Sequence, residues 1–191
     1  MDPFPELLTT RLRLRKLQLE DVPTIVAFCN NRKITDNVIH LPFPYKEEDA
    51  IFWLNMANEG YKNKTRYTFA IAQRASNALV GAIGLTVDPG HNKAEMGYWV
   101  GEPFWNKGIA TEAVKALLRF GFETLALNKI YATHFLRNPA SARVMLNNGM
   151  IKEGDLAGHY QKGEEYLDVA QYRLMRKEFI ASQGKQPDAD Q

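Results

Sequence analysis

The chain has 191 residues, of which 45% are hydrophobic and 24% are charged, and this is enough to build the core of one domain. The formal net charge of +2 gives no basic footprint for nucleic acid, and the single cysteine, Cys29, excludes an internal disulfide. No apolar run is long enough to cross a bilayer, and the first residues lack the regions of a signal peptide. We therefore expect a cytoplasmic protein without membrane or direct nucleic-acid contact.

Hydrophobic periodicity predicts strands and helices that alternate along most of the chain. In chain order we expect a strand at 11–17, helices at 20–30 and 46–58, strands at 66–73 and 79–87, a strand around Glu95, a long helix at 108–124, a strand at 129–136, a helix capped by Asn138, and strands at 151–160 and 166–175. This order predicts a mixed α/β fold. Residues 1–181 contain no linker and are expected to form one domain, and 182–191 a polar, disordered tail.

The segment from Glu95 to Val114 carries the clearest functional pattern. It predicts a buried strand, a short turn and a helix whose first turn follows a small, flexible loop. Such a loop points several backbone N–H groups at one spot on the positive end of a helix dipole, and this predicts a phosphate site. The loop lacks the spaced glycines of a dinucleotide fingerprint and the Gly-Lys-Ser/Thr of a Walker loop, which excludes a generic nucleotide-binding domain.

Glu95 is the one carboxylate in this otherwise apolar strand. A charge there is costly unless it is paired or faces a cleft. Glu95 is therefore either a functional base or an exposed glutamate paired with Lys93 or another cation. Gly97 indicates a bulge or a close approach of the backbone to a ligand. An anion site beside a carboxylate is the layout for acyl transfer from a donor that carries a pyrophosphate.

A set of motifs in fixed order covers the chain from about Leu8 to Phe179. They are Thr10-Arg11-Leu12-Arg13-Leu14-Arg15, Leu41-Pro42-Phe43-Pro44-Tyr45, Trp105-Asn106-Lys107-Gly108-Ile109-Ala110 followed by Thr-Glu-Ala, and Asn138-Pro139-Ala140-Ser141 with Asn148-Gly149-Met150. Together they resemble the GCN5-related N-acetyltransferase superfamily, and within it the ribosomal-protein N-terminal acetyltransferases. The family's acetyl-CoA signature is Arg/Gln-x-x-Gly-x-Gly/Ala. Gly108 and Ala110 match it, whereas Trp105 departs from its first position.

The resemblance implies an acetyltransferase fold with a central, mostly antiparallel, twisted sheet flanked by helices on both faces. It implies acetyl-CoA as the cofactor, with its pyrophosphate on the backbone amides of 107–111 and its pantetheine arm against Asn138. The cofactor-binding residues expected on this basis are Tyr98, Trp99, Val100, Trp105, Asn106, Lys107, Gly108, Ile109, Ala110, Thr111, Asn138, Ser141 and Arg143. For the side chains of Lys107 and Arg143, a phosphate contact and ordinary surface exposure both stay open. No metal is expected, because the histidines and the cysteine show no ligand spacing.

Two roles stay open for Ser141. Many family members place a tyrosine seven residues after the asparagine, where it protonates the departing thiolate, but here that position is Met145, which has no proton to give. The ribosomal-protein branch offers a serine at the Ser141 position. Ser141 is therefore expected either to serve the thiolate or to cap its helix together with Asn138. A thiol with a pKa of about 8.5 is also a fair leaving group without a dedicated acid.

The acceptor site of the family lies near the turn at 41–45 and the helix after it. The expected substrate-binding residues are His40, Phe43, Tyr45 and Trp53, although Trp53 at helical spacing fits the core as well. At pH 7.5 an α-amine of pKa about 7.8 is roughly a third neutral, whereas a lysine of pKa about 10.4 is near 0.1% neutral. One modest base without a tyrosine acid therefore favours a protein N-terminus or a small-molecule α-amine over lysine, and leaves polyamines and aminoglycosides open.

The sequence thus predicts an acetyl-CoA-dependent N-acetyltransferase, with ribosomal-protein acetylation as the activity of the branch that it resembles. The amine is expected to attack the thioester directly, Glu95 to accept its proton, and backbone N–H groups of the Glu95 strand to polarise the carbonyl as in the family. The alternative is a non-catalytic acyl-CoA-binding or regulatory module on the same fold, which Met145 keeps open. We expect a monomer or a homodimer.

Overall fold

An eight-stranded, mostly antiparallel sheet forms the centre of the computed structural model, which describes residues 3–184. The strands are β1 (Leu7–Leu8), β2 (Leu12–Lys16), β3 (Arg66–Gln73), β4 (Leu79–Asp88), β5 (Lys93–Val100), β6 (Lys129–Phe135), β7 (Ile151–Lys162) and β8 (Glu165–Met175). Their order across the sheet is β1-β2-β3-β4-β5-β6-β8-β7, and only the β5–β6 pair is parallel. The α/β fold class expected from the sequence is confirmed.

The described residues also form six α-helices, which cover both faces of the sheet. They are α1 (Val22–Cys29), α2 (Arg32–Thr35), α3 (Glu47–Lys62), α4 (Ile109–Arg119), α5 (Pro139–Asn147) and α6 (Arg176–Gln183). Apolar residues of α1, α2 and α3 pack with Ala70, Ala82 and Trp99 of the sheet, whereas α4, α5 and α6 pack with the alternate sheet residues on the other face. Each face therefore has its own hydrophobic core. Within residues 3–184, no helix combines the length and the apolar composition needed to span a membrane.

The separation of β5 from β6 is the feature of the fold that positions the site. The two strands pair only at Lys93↔Lys129, Ala94↔Ile130 and Glu95↔Tyr131. Beyond Glu95, β5 continues to pair with β4 as far as Val100, but its other edge has no strand partner within residues 3–184. A gap therefore opens in the middle of the sheet from Met96 onward.

Gly97 corrects one expectation. The β4–β5 register runs without a shift through Gly84↔Gly97, so the predicted bulge is absent from this pair of strands. A side chain at Gly97 would meet nothing within 4 Å, and the glycine is exposed. The glycine therefore leaves open space above β5, which agrees with the second reading, a close approach to a ligand.

Most of the predicted elements are present, with different ends. The helix expected at 108–124 is α4 followed by a π-helical turn at Phe120–Thr124. The last helix continues through Gln183, so the predicted disordered tail does not begin at residue 182, and residues 185–191 lie outside the described part of the chain. Three short elements have no counterpart in the sequence-based prediction, namely β1, α2 and α6.

Candidate active site

A cleft of about 1030 Å³ opens where β5 and β6 separate. Its wall is formed by α2 and the segment that follows it, by β5 with one residue each of β3 and β4, by the loop before α4 and the first turn of α4, and by α5 with residues of β6, β7 and β8. Most of the predicted site residues line it, namely His40, Glu95, Tyr98, Trp99, Val100, Trp105, Asn106, Gly108, Ile109, Ala110, Thr111, Asn138, Ser141 and Arg143. Lys107, Phe43, Tyr45 and Trp53 are not part of the wall.

The start of α4 has the geometry of an anion site. Gly108 is the N-cap residue with a φ of 74°, and no side chain in the described part of the chain caps this helix end. The first hydrogen bond of the helix runs from Glu112 N–H to Gly108 O at 3.0 Å. The amides of Ile109, Ala110 and Thr111 therefore have no acceptor within the helix and point out of its positive end. Uncapped amides at the wall of a cleft fit the pyrophosphate of an acyl-CoA.

Arg11 and Glu112 hold the loop before α4 in place. Arg11 donates through Nε to Glu112 Oε2 at 2.6 Å and through Nη1 to the carbonyl of Lys107 at 2.9 Å. Thr9 Oγ1 donates to the other oxygen of Glu112 at 2.6 Å. Burial acts to raise the pKa of Glu112, but the hydrogen bonds from Thr9 and Arg11 outweigh it and leave the pKa below its ordinary value. A charged Glu112 thus ties the turn between β1 and β2 to the anion site.

The side chain of Lys107 is used within its own loop. Its Nζ donates to Pro103 O at 2.8 Å and lies 5.7 Å from the centre of the Phe104 ring. Trp105 likewise fastens the loop to β5, because its Nε1 donates to Val100 O at 2.6 Å. These contacts give Lys107 and Trp105 structural partners, whereas Arg143 stands on the cleft wall from α5.

The free edge of β5 presents backbone groups to the cleft. Gly101 N–H donates to Val80 O at 2.9 Å, which points this amide toward β4. Because amides alternate in direction along a strand, those of Tyr98 and Val100 point away from β4 and into the gap. They are the backbone N–H groups of β5 that are available to a bound thioester or pantetheine arm.

Among the described residues, Glu95 is held by a hydrogen bond and not by a cation. Tyr160 Oη donates to Glu95 Oε1 at 3.2 Å, and Thr133 Oγ1 lies 3.4 Å from the same phenol oxygen. Burial raises the pKa of Tyr160, and the charge of Glu95 raises it further, so the phenol stays a donor. Lys93 instead pairs with Asp88, at 3.7 Å. The structure therefore does not support the pairing of Glu95 with Lys93.

Ser141 faces Tyr98, while Asn138 caps α5. The Asn138 side chain accepts from Ser141 N–H at 3.4 Å. The Ser141 hydroxyl lies 2.7 Å from Tyr98 Oη, which also reaches Ser141 O at 3.2 Å. Burial raises the pKa of Tyr98 to about 12, against a smaller lowering by Ser141. Met145 is 1% exposed and belongs to the core, so it presents nothing to the gap. Tyr98 and Ser141 instead supply two hydroxyl groups where β5 and α5 meet.

His134 is a wall residue that the sequence analysis missed, because it considered this histidine only as a metal ligand. Its Nδ1 lies 2.8 Å from Phe135 O and must carry the proton, since a carbonyl only accepts. Its Nε2 has no hydrogen-bond partner among the described residues although His134 is only 9% exposed. The alternation of Ile130, Ala132 and His134 on one strand face was the available signal. Across residues 3–184, no cluster of three or more potential metal ligands occurs.

The side of the cleft where the family resemblance implies the acceptor is closed by the segment after α2, which carries His40. Lys162 Nζ donates to Thr35 O, to Val38 O at 2.8 Å and to Leu41 O at 3.4 Å, and Arg137 donates to Asp36 O at 2.6 Å. Burial lowers the pKa of Lys162. Residues of β7 and of the turn after β6 thus hold this segment in place.

The three predicted aromatic residues lie away from the wall. Tyr45 is 3% exposed in the core under α1 and α3, and Trp53 packs against the same core. Phe43 is exposed and carries the Arg32 guanidinium 4.4 Å from its ring centre. Of the four predicted substrate residues, the structure therefore brings only His40 to the cleft.

Comparison with known proteins gives the same picture. The family model "Acetyltransferase (GNAT) domain" matches residues 11–151. The uncharacterized N-acetyltransferase YoaA of Bacillus subtilis is 33% identical over 175 residues, which cover 91% of this chain and 98% of that protein. The ribosomal-protein-serine acetyltransferase of Escherichia coli is 33% identical over 95 residues, or 49% of this chain and 53% of that protein. The crystal structure of a GNAT-family acetyltransferase from Bacillus anthracis superposes with a TM-score of 0.81 at 28% identity and covers 91% of this chain and 99% of that one.

Proposed function

This chain belongs to the GNAT acetyltransferase family and is an acetyl-CoA-dependent N-acetyltransferase, and on that premise we propose that it acetylates a neutral α-amine, with Glu95 as the base. The acceptor is a protein N-terminus or a small-molecule amine. One observation carries the proposal. Glu95 and the Tyr98–Ser141 pair stand on opposite faces of β5, at the point where that strand leaves β6.

The donor side is supported by the anion site and by the free edge of β5. Bound acetyl-CoA supplies a thioester, whose acetyl group goes to the amine and whose sulfur departs as a thiolate. The uncapped amides of α4 would hold its pyrophosphate, and the amides of Tyr98 and Val100 face the gap where its reactive end belongs. Asn138 and Arg143 stand on the same wall.

The acceptor side is supported by the surroundings of Glu95. Its Oε1 accepts from Tyr160, whereas Oε2 has no hydrogen bond within the described residues and is free to take a proton. As the new C–N bond forms, Glu95 accepts the proton that the amine nitrogen releases. A neutral amine is needed, because the protonated nitrogen has no lone pair. An α-amine meets this condition near neutral pH, whereas a lysine rarely does.

The Tyr98–Ser141 pair stabilises the departing sulfur by a hydrogen bond. With a pKa of about 12, Tyr98 holds its proton more tightly than a thiol of pKa about 8.5. Complete transfer of that proton to the thiolate is therefore uphill. The pair stabilises the leaving sulfur by donating a hydrogen bond as the C–S bond breaks, and the thiolate takes its proton from water afterwards.

A protein acceptor is supported by the relative from Escherichia coli, whose name gives a ribosomal protein as its substrate and which matches about half of this chain. The match covers 49% of this chain, so the likeness to that protein is partial. Ribosomal-protein acetylation is therefore the form of the proposal that must be tested against small amines.

An acceptor panel followed by thiol release and mass spectrometry tests the proposal. It contains peptides with N-terminal Ala, Ser or Met, the same peptides with a blocked N-terminus and an internal lysine, free amino acids and spermidine. The expected result is acetylation at the free α-amine and none of the blocked peptides. Binding of CoA by calorimetry without acetylation of any amine would instead identify a non-catalytic acyl-CoA-binding module.

A further inference from the structure

An arginine without a counterion lies on the acceptor side of the cleft. Arg66 opens β3 and lines the cleft wall, half-buried. Its guanidinium forms no hydrogen bond and no ion pair among the residues that the structure describes. The base of the side chain is fixed, because α3 passes so close that a Cβ on Gly60 would lie 2.4 Å from Arg66 Cβ. A half-buried guanidinium with five donors and no acceptor among the described residues can bind an anion.

Arg66 stands in the same row of the sheet as Glu95. Arg66 pairs with Thr86 of β4, and Thr86 pairs with Glu95 of β5. All three side chains point to the face covered by α1 and α3. Side chains four positions apart on a strand share a face, and Ala70, Ala82 and Trp99, which lie four positions from Arg66, Thr86 and Glu95, pack in the core on that face. Two strand spacings place the Cα atoms of Arg66 and Glu95 about 10 Å apart.

The charges on the cleft wall favour an anionic group beside Glu95. Glu95 is the only carboxylate among the described wall residues, whose other permanently charged members are Lys33, Arg66 and Arg143. The Lys33 ammonium is paired with Glu102, and Arg143 belongs to α5 on the donor side. Among the described wall residues, Arg66 is thus the cation of the acceptor side that has no carboxylate partner. A polyamine would bring a second ammonium group toward it and be repelled.

We propose that Arg66, with the hydroxyl of Thr86, binds a carboxylate of the acceptor. The substrate is then an amine that carries a carboxylate within about 10 Å of the reacting nitrogen, as in an amino acid or a peptide with an acidic residue close to its N-terminus. Arginine is suited to this role because its planar fork matches both oxygens of a carboxylate. The inference rests on the proposed function, since it takes Glu95 as the place of the amine.

The test compares two tetrapeptide amides that differ only in Asp or Asn at the second position, so that the carboxylate changes while the α-amine is kept. Free serine is compared with serinamide, with each acetylation rate divided by the concentration of neutral amine. This second pair shows whether the carboxylate comes from a free amino acid or from a peptide. We expect the wild-type protein to prefer the acidic member by about tenfold or more in kcat/KM. In Arg66→Gln the KM for the acidic peptide should rise about 10- to 100-fold, with the Asn peptide and the KM for acetyl-CoA unchanged.

Two variants make the result specific. Arg66→Lys keeps the charge without the fork and should retain part of the preference. Arg119→Gln removes the same charge from the exposed pair with Glu123 and should change neither peptide. Equal use of both peptides by the wild type, a preference for spermidine, or an equal loss with both peptides in Arg66→Gln would overturn the inference while the acetyltransferase proposal stands. Failure of the wild type to acetylate any amine would overturn both.

Discussion

The hydroxyl oxygens of Tyr98 and Ser141 lie 2.7 Å apart and join the free edge of β5 to the first turn of α5. The cap of α5 is supplied separately, by the side chain of Asn138. The Ser141 hydroxyl therefore has a partner on the cleft wall, and it is not the group that caps the helix. Its two candidate roles, donor to the sulfur and architecture, become separable by experiment.

Replacement of Ser141 by alanine should reduce turnover more than stability. We expect kcat to fall about 10- to 100-fold, the value of a hydrogen bond to a charged group, with little change in melting temperature. Asn138→Ala is the control and should lower the free energy of unfolding by about 0.5–2 kcal/mol, because it removes the cap. Since Tyr98 and Ser141 act as a pair, Tyr98→Phe combined with Ser141→Ala should be little slower than either alone. A destabilised but fully active Ser141→Ala protein would show that the serine is architectural.

Gly108 should be required for CoA binding, for two separable reasons. Its φ of 74° suits glycine, and any Cβ there would lie 3.3 Å from Arg11 Nη2 at the anion site. Gly108→Val combines backbone strain with bulk and should both lower the melting temperature and abolish CoA binding. Gly108→Asn tolerates the left-handed backbone and should fold more stably while still binding CoA weakly. Calorimetry that finds wild-type CoA affinity in Gly108→Val would remove this loop from the cofactor site.

The Cys29 thiol should be unreactive in the folded protein, and its raised pKa should make the folded protein less stable at alkaline pH. It is 0% exposed, and burial raises the pKa of its thiol to about 12. Because the folded pKa lies above the unfolded value of about 8.5, this contribution is complete below that pH and is lost as pH rises toward 12. The free energy of unfolding, measured by denaturant melts, should therefore fall more between pH 8.5 and 10 in the wild type than in Cys29→Val. A thiol reagent should label the native protein no faster than it unfolds, and rapid labelling would contradict the burial.

The elements around the anion site could be predicted because their signals are local. The glycine at the N-cap, the apolar spacing of α4 and the Asn-Pro start of α5 all lie within a few residues of the structure that they specify. The four-residue helix α2 could not, since a single turn leaves no periodicity to detect. The end of α4 at Arg119 was missed for a similar reason, because its apolar spacing continues into the π-helical turn.

The partners across the cleft depend on pairings that the sequence does not display. Glu95 meets Tyr160 from 65 positions further along, and Tyr98 meets Ser141 from 43 positions further along. Both contacts depend on where β5 leaves β6. The aromatic residues near the acceptor turn illustrate the opposite error. Tyr45 belongs to the expected acceptor turn in the sequence, but apolar burial draws it into the core beneath α1 and α3. Trp53 packs against the same core, which is the alternative that its helical spacing left open.

The most direct test of the account is the pH dependence of turnover in Glu95→Gln, measured with a peptide that carries a free α-amine. Glutamine keeps the shape of the side chain and its place beside Tyr160 but cannot accept a proton. Tyr160→Phe is the companion variant, because it removes the hydrogen bond to Glu95 and leaves the carboxylate in place. We predict that Glu95→Gln lowers kcat about 10²- to 10⁴-fold at pH 7 without weakening acetyl-CoA binding, and that the deficit shrinks above the amine pKa of about 7.8. Wild-type turnover by Glu95→Gln at pH 7 would contradict the account and assign the proton to another group or to water.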